Sequence, residues 1–594
     1  MLKTLKTFYC FLDTVRRFIL NVLFIVTVIV LMFFILARSQ TDTIPNGTLL
    51  RLDLTGALVE VGTDSNRSLI RTLVSSNVEG ETRLSDVLEA LQRASEDPRV
   101  SGVVLELGEL SEAGMASIRE ITTAIDRYRQ ISGKKVWVWA PSYTQTQYLI
   151  GLHADHLAVH PMGMVEIKGL SSTSLYLGEF FKLLGIQPEV RKAGTFKSAP
   201  EMLVAEEPSA ASLLAQKSYM DEAWNGLISD VERRRGLPEG SVVSYLNDFS
   251  KFLDMPKSVL EILRDQGYID AISSKESFEA SLIQSYSLTG QRKDLSIIDY
   301  REYLNFYPSS ELTTPGIGVI VVEGEISQIS ETGGMTPERF SSLLSAVEMD
   351  PNVKVLLLRV NSPGGDALAS EMIRTNLETF KKETGIPVIV SMGDTAASGG
   401  YWIATAGDKI IADPYSITGS IGVFAMTFHA EELKNRLNIG RGGYRTSPLA
   451  DIGKSMVGPL EIESRWIDHE VNRTYVLFKH LVEVSRKMPA ESVEAVAQGR
   501  IWMGTQAFKN GLVDELGGYD EAIKLARKTA GLPLEAPCIR FHSEYEDIGA
   551  FLRTLLQVAS GEDLVKWFKI KNEWETMAGV SGKPMARLLD KPTL

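Results

Sequence analysis

Hydrophobic and polar positions alternate over residues 49–59, LLRLDLTGALV, and a period of two predicts a β-strand with one apolar face. The spacing then lengthens. Leu84, Val87, Leu88 and Leu91 recur at helical intervals, and Asp97-Pro98 closes that segment ahead of an apolar run over residues 100–107. Helical spacing resumes over 115–129 and gives way to a short apolar strand over 135–139. Strands alternating with helices in this way are the parts of an α/β unit.

The same order of parts returns later in the chain. Residues 318–326, GVIVVEGEI, answer the first strand, 340–347 answer the first helix, and Asp350-Pro351-Asn352-Val353 answers Asp97-Pro98-Arg99-Val100 at an offset of 253 residues. That offset also relates Ala154-Asp155 to Gly407-Asp408 and Pro161 to Pro414. It drifts to 244 where residues 266–270 answer 510–514. Two diverged copies of one unit follow. The stretch 285–315, with Pro308-Ser309-Ser310 and Thr313-Thr314-Pro315 and little periodicity, is expected to link them. Residues 541–594 carry amphipathic segments, such as 550–559, but no motif, and are expected to form a helical C-terminal extension.

One apolar run stands outside the repeat. Residues 18–37, FILNVLFIVTVIVLMFFILA, are long enough as a helix to cross a hydrocarbon core of ~30 Å. Lys3, Lys6, Arg16 and Arg17 precede it against a single Asp13, so residues 1–17 are expected in the cytoplasm and the bulk of the chain across the membrane. Leu36-Ala37-Arg38-Ser39 is a poor signal-peptidase site, which favours an uncleaved anchor followed by a short polar tether. Cys10 and Cys538 then lie on opposite sides of the membrane and do not pair.

Composition changes this picture little. With 594 residues, 44% of them hydrophobic and 23% charged, the chain is folded and too long for one ordinary core. The net charge of −13, with no basic block, argues against a nucleic-acid partner.

The chemistry concentrates where the copies differ. Residues 393–423, GDTAASGGYWIATAGDKIIADPYSITGSIGV, set Ser398 between small residues, after an apolar strand and before a helical segment. A strand, a tight turn and a helix start are what expose a nucleophile beside free N–H groups. The offset carries Ser398 back to Gln145, so the first copy has no nucleophile there. The paired-glycine turn of 361–366, NSPGGD, suits an oxyanion site, and its counterpart Gly108-Glu109-Leu110-Ser111-Glu112-Ala113 has lost it. In return the first copy offers Lys197 within RKAGTFKSA, where the second has Ala450. A lone lysine is ordinarily a solvated surface residue. The complementary losses instead make Lys197 the candidate base for Ser398, provided burial lowers its pKa.

The motifs AASGGYW (396–402), NSPGGD (361–366), TGSIGV (418–423), GTFKSA (194–199) and GLVDELGG (511–518) together resemble the signal peptide peptidase A, or protease IV, family in its long two-copy form. The resemblance runs from the anchor to about Ala530. It implies an α/β fold of two tandem Clp/crotonase-like domains after an N-terminal transmembrane helix: a tail at 1–17, an anchor at 18–37, a lysine-bearing domain at 48–284, a link at 285–315, a serine-bearing domain at 316–540 and an extension at 541–594. It implies a serine peptidase with Ser398 as nucleophile, Lys197 as general base, Ser420 orienting the lysine, and the N–H groups of Gly365 and Gly399 as oxyanion hole. No cofactor and no metal are implied. The substrates would be released signal peptides and other apolar peptides. The enzyme would be a homo-oligomer, a tetramer, held by a single span in a bacterial inner membrane with its catalytic region in the periplasm.

Two other readings compete. His153, His156 and His160 approach metal-ligand spacing, but their second-copy counterparts Ala406, Lys409 and Asp413 do not repeat the set, and no metal is expected. A crotonase-like acyl-CoA enzyme would not need an activated serine, and a non-catalytic membrane scaffold would need neither Ser398 nor Lys197.

Overall fold

A computed structural model describes residues 43–62 and 80–541, apart from 288, 293–294, 308–313, 330–333 and 457, together with Asn21, Phe24, Ile25 and Met585–Arg587. The expected anchor at 18–37 lies outside the described residues but for those three. Among the described residues no helix is long and apolar enough to cross a membrane.

The first copy runs β1 (Thr48–Val59), β2 (Glu81–Arg83), α1 (Leu84–Glu96), β3 (Val100–Glu112), α2 (Met115–Ser132), β4 (Val136–Ala140), α3 (Gln145–Gly151), β5 (His156–Val159), β6 (Gln187–Ala193), α4 (Ala210–Arg235), β7 (Ala271–Ile272) and α5 (Lys275–Tyr286). After it, β8 (Ile297–Asp299) pairs parallel with β1, and α6 (Tyr300–Leu304) buries Tyr300 and Tyr303 in the first core. Part of the stretch read from sequence as a link is therefore built into the first sheet and its core. Two tyrosines three residues apart on one short helix bury a large apolar area without any long periodicity to announce it.

The second copy runs β9 (Gly316–Glu323), α7 (Pro337–Met349), β10 (Val353–Ser362), β11 (Gly364–Asp366), α8 (Ala367–Thr384), β12 (Val388–Ala397), α9 (Gly399–Ala404), β13 (Lys409–Ala412), β14 (Ile417–Gly419), β15 (Val423–His429), β16 (Ile501–Met503), β17 (Glu515–Leu516), α10 (Tyr519–Thr529) and β18 (Cys538–Arg540). The two parallel sheets share one order: β8, β1, β3, β4, β5, β7 in the first and β18, β9, β10, β12, β13, β17 in the second. The repeat extends to single hydrogen bonds. Asp155 accepts from Val136 N as Asp408 does from Val388 N, and Asp270 accepts from Leu157 N as Asp514 does from Ile410 N. The Asp514 of GLVDELGG is thus an acceptor that starts a strand.

Strands buried on both faces read as continuous apolar runs, and helices cover both faces of each sheet. On one face of the second sheet, Ala522 and Leu525 of α10 close over Val319, Leu357 and Ile389. Phe278 and Leu282 of α5 do the same over Val104 and Trp137 in the first.

A third, antiparallel sheet joins the copies. Its β6, from the first copy, pairs along seven residues with β15 of the second, from Val423 opposite Ala193 to His429 opposite Gln187. A late strand, β19 (Met585–Arg587), lies between β15 and β11 and pairs antiparallel with Gly364–Asp366. The remainder of 542–594, expected to be helical, lies outside the described residues.

Candidate active site

Strand β12 delivers Ser398 at its C-terminal end, where the chain turns into α9. Ser398 has φ 56° and ψ −114°, a conformation side chains rarely adopt. Such a residue carries strain on the order of 1–3 kcal/mol and persists only where its surroundings hold it. Here Ser398 N donates to Gly419 O at 2.8 Å, and Ser398 O accepts from Trp402 N at 2.8 Å. Ser420, the other serine in this region with positive φ, is held by its N–H donating to Arg500 O at 2.8 Å.

Lys197 arrives from the other copy. Once β6 has paired with β15, residues 194–197 fold against the second copy: Thr195 N donates to the Gln498 side chain and Phe196 N to Gln498 O. Lys197 rests on Gly499, where a Cβ would come within 2.7 Å of the lysine backbone. Its Nζ lies 2.7 Å from Ser398 Oγ, 3.1 Å from Ser420 Oγ and 3.2 Å from Ser420 O. Lys197 is 1% exposed, and burial pulls its pKa down from 10.5 to about 7. A neutral amine has two N–H groups and one lone pair. Ser420 Oγ and O accept the two N–H groups, and the lone pair is left for the Ser398 hydroxyl proton.

The glycine turn stands on the far side of the serine. Gly365 lies so close to the segment after β9, which it bridges at Ile326, that a Cβ would fall 1.9 Å from Ile326 O, and a Cβ on Gly399 would come within 3.1 Å of Gly365 N. The backbones of Gly365 and Gly399 therefore adjoin beside Ser398. Ser362 Oγ accepts from Gly364 N at 3.2 Å, and Asp366 caps α8 by accepting from Ala369 N at 2.7 Å. A cavity of about 50 Å³ opens next to Lys197, lined by Tyr176, Phe196, Met202, Tyr219, Ser420 and Ile501.

The structure thus brings Ser398, Lys197, Ser420, Gly365 and Gly399 together, and it sets the other candidates apart. Gln145 is buried in the first copy, where its side chain accepts from Lys168 N and Gly169 N and donates to Gly169 O. His153 is buried between Asp126 and Asp230, at 3.2 and 3.1 Å. His156 packs against Trp137, and His160 meets Trp139 edge-on. Among the described residues no three metal-ligating side chains form a group.

Sequence reasoning missed Gln498 and Gly499, which seat the lysine. It also missed Arg359, which lies wholly buried on β10 with its guanidinium 2.6 Å from Glu60 and 2.9 Å from Glu120 of the first copy. A signal for Arg359 was present, a single cation inside the apolar run VKVLLLRV.

A buried serine on the strand-to-helix turn of an α/β sheet, with an amine at its oxygen, is an arrangement suited to acyl transfer, the chemistry of the serine peptidases. Comparison with known proteins agrees. The model of peptidase family S49 matches residues 129–253 and 380–533, one segment in each copy. Protease 4 of Haemophilus influenzae is 31% identical over 96% of this chain and 94% of its own length. Protease 4 of Salmonella typhi is 32% identical over 88% and 85%, and the chloroplastic serine protease SPPA of Arabidopsis thaliana is 28% identical over 79% and 69%. Among solved structures, a variant of the 1510-N membrane-bound stomatin-specific protease covers 39% of this chain at 17% identity with a TM-score of 0.25, too slight a likeness to argue from. The chain belongs to peptidase family S49 and is a serine peptidase.

Proposed function

We propose that this chain is a membrane-anchored serine endopeptidase that uses a Ser398/Lys197 dyad to degrade released signal peptides and other apolar peptides. The observation that carries the reading is the 2.7 Å approach of Lys197 Nζ to Ser398 Oγ with both side chains buried. Neutral Lys197 accepts the Ser398 proton as the oxygen attacks a peptide carbonyl. The N–H groups of Gly365 and Gly399 hold the oxyanion, where one such donor is typically worth about 10²–10³ in kcat. Protonated Lys197 then gives its proton to the leaving amine. Water, deprotonated by the same lysine, hydrolyses the acyl-enzyme.

Two features support a peptide substrate. The strand Met585–Arg587 lies along Gly364–Asp366, so this edge accepts an extended backbone. The cavity beside Lys197 has a mixed wall, with Phe196, Met202, Tyr219 and Ile501 facing Ser198, Ser212 and Gln216, and holds roughly four waters' volume, room for a small side chain. The two copies as Clp/crotonase-like domains, the anchor at 18–37, the inner-membrane location with a periplasmic site and the tetramer belong to this same proposal, and rest on the motifs and on the apolar run. Fluorophosphonate labelling of the full chain in detergent tests the dyad. Label on the wild type, lost in both Ser398→Ala and Lys197→Ala, is the expected outcome, and an unlabelled wild type or a fully labelled Ser398→Ala overturns it.

A further inference from the structure

The first copy touches the second at a place other than the lysine loop, and the contact falls on the strands that carry the nucleophile and the glycine turn. Helix α2 begins at Gly114, which has no side chain to cap it. The corresponding helix of the second copy, α8, begins at Asp366 and caps itself. For α2 the missing acceptor is supplied by the other copy. Asp394, on β12 four residues before Ser398, accepts from Ser117 N at 2.9 Å and from Ser117 Oγ at 2.5 Å. The approach is so close that a Cβ on Gly114 would fall 2.0 Å from the Asp394 carboxyl carbon. An unpaired helix N-terminus favours a carboxylate through both its free N–H groups and its dipole.

The same helix reaches two further catalytic segments. Its Glu120 bonds Arg359, which lies on the strand that leads into the glycine turn. Its Arg119 pairs with the wholly buried Asp413, ahead of the segment that carries Ser420. One helix of the copy that lacks a nucleophile therefore contacts β12 and β10, which lead into Ser398 and the glycine turn, and Asp413, ahead of β14.

We propose that Asp394 is a positioning residue: by capping α2 of the first copy it clamps the end of β12, so that the first copy fixes the strained turn on which Ser398 sits. The inference rests on Ser398 being the nucleophile. Lys197 is held separately, by the β6–β15 pairing and by Gln498 and Gly499. Loss of the cap should then move the serine while the lysine stays buried on its own seat, losing only the Ser398 oxygen from its contacts.

The test compares the full chain with Asp394→Ala, Asp394→Asn and Ser117→Ala, each with Ser398→Ala as control, by steady-state hydrolysis of a quenched apolar peptide from pH 6 to 9. Asp394→Ala is expected to lower kcat about 100-fold, with KM within twofold and the acid limb of the pH profile unmoved. Asp394→Asn, which keeps an oxygen acceptor, should recover to within about tenfold of wild type, and Ser117→Ala should lose about threefold to tenfold with Asp394 intact. A folded Asp394→Ala with kcat within twofold of wild type overturns the inference. So does a loss that simply tracks the fraction of folded protein across the three variants, or one accompanied by a shifted acid limb. If Ser398→Ala retains activity, the dyad reading fails instead, and the two failures are distinguishable.

Discussion

The pH dependence of activity follows from the burial of Lys197. A lysine in water titrates near 10.5, and burial in this site brings the amine to about 7. At pH 7 about half of such amines are neutral, against about 1 in 3,000 for an unshifted lysine. The two cases separate most clearly above neutrality. Between pH 8 and 10 the neutral fraction of a group at about 7 rises by only about 10%, whereas that of a group at 10.5 rises about 75-fold. From pH 8 down to 6 the buried lysine loses about tenfold. The assay is kcat/KM on a quenched apolar peptide between pH 6 and 10, since this ratio reports the free enzyme's essential base. The expected profile rises through neutrality and is level from pH 8 to 10. A rate that still climbs about tenfold per pH unit above 8 refutes the reasoning, because the base would then be a solvated lysine or another group.

The same shift bears on stability. Between about pH 7 and 10.5 the unfolded lysine holds a proton that the folded one has released, so native stability rises with pH across that window and the burial penalty is complete below it. Lys197→Met removes the penalty, and its unfolding free energy relative to wild type should be highest below pH 7 and fall by about 5 kcal/mol by pH 10.5, read from denaturant curves at several pH values. Gly365→Ala, whose Cβ would strike Ile326 O, should displace the turn, cost about 10²–10³ in kcat and lower the thermal midpoint as well. Ser420→Ala keeps the backbone acceptor of Lys197 but removes its hydroxyl acceptor, and should lower kcat about tenfold at constant KM.

What was legible in the sequence was whatever local pattern specifies. The strands over 49–59 and 100–107 were read from their apolar positions, and the Asp-Pro closures and the 253-residue offset revealed the repeat. Ser398 was marked by its small-residue turn and Lys197 only by contrast with the other copy. What stayed hidden depends on long-range approach. The pairing of β6 with β15 joins residues more than 200 positions apart, and no feature of residues 187–193 names its partner. Gly499 looks like any loop glycine until the lysine lies on it, and Tyr300 and Tyr303 sit on a helix too short to show a period.

The repeat also explains why the first copy persists without a nucleophile. At the 253-residue counterpart of Ser398 it has Gln145, whose amide bonds the backbone at Lys168 and Gly169. At the helix corresponding to α8 it has Gly114 in place of a self-capping aspartate, which leaves α2 reliant on Asp394 of the second copy. Each loss makes the first copy less able to act alone and more closely fitted to its neighbour. The second copy is incomplete in the complementary sense, since it has Ala450 where the first has Lys197. Two joints therefore meet at the site from different elements, a strand pairing that brings the amine and a helix cap that steadies the serine. The serine at φ 56° is held within its own copy by the pairing of residues 395–397 with β14, by Gly419 O and by Trp402 N, and the cap adds a hold from the first copy on the same stretch of β12.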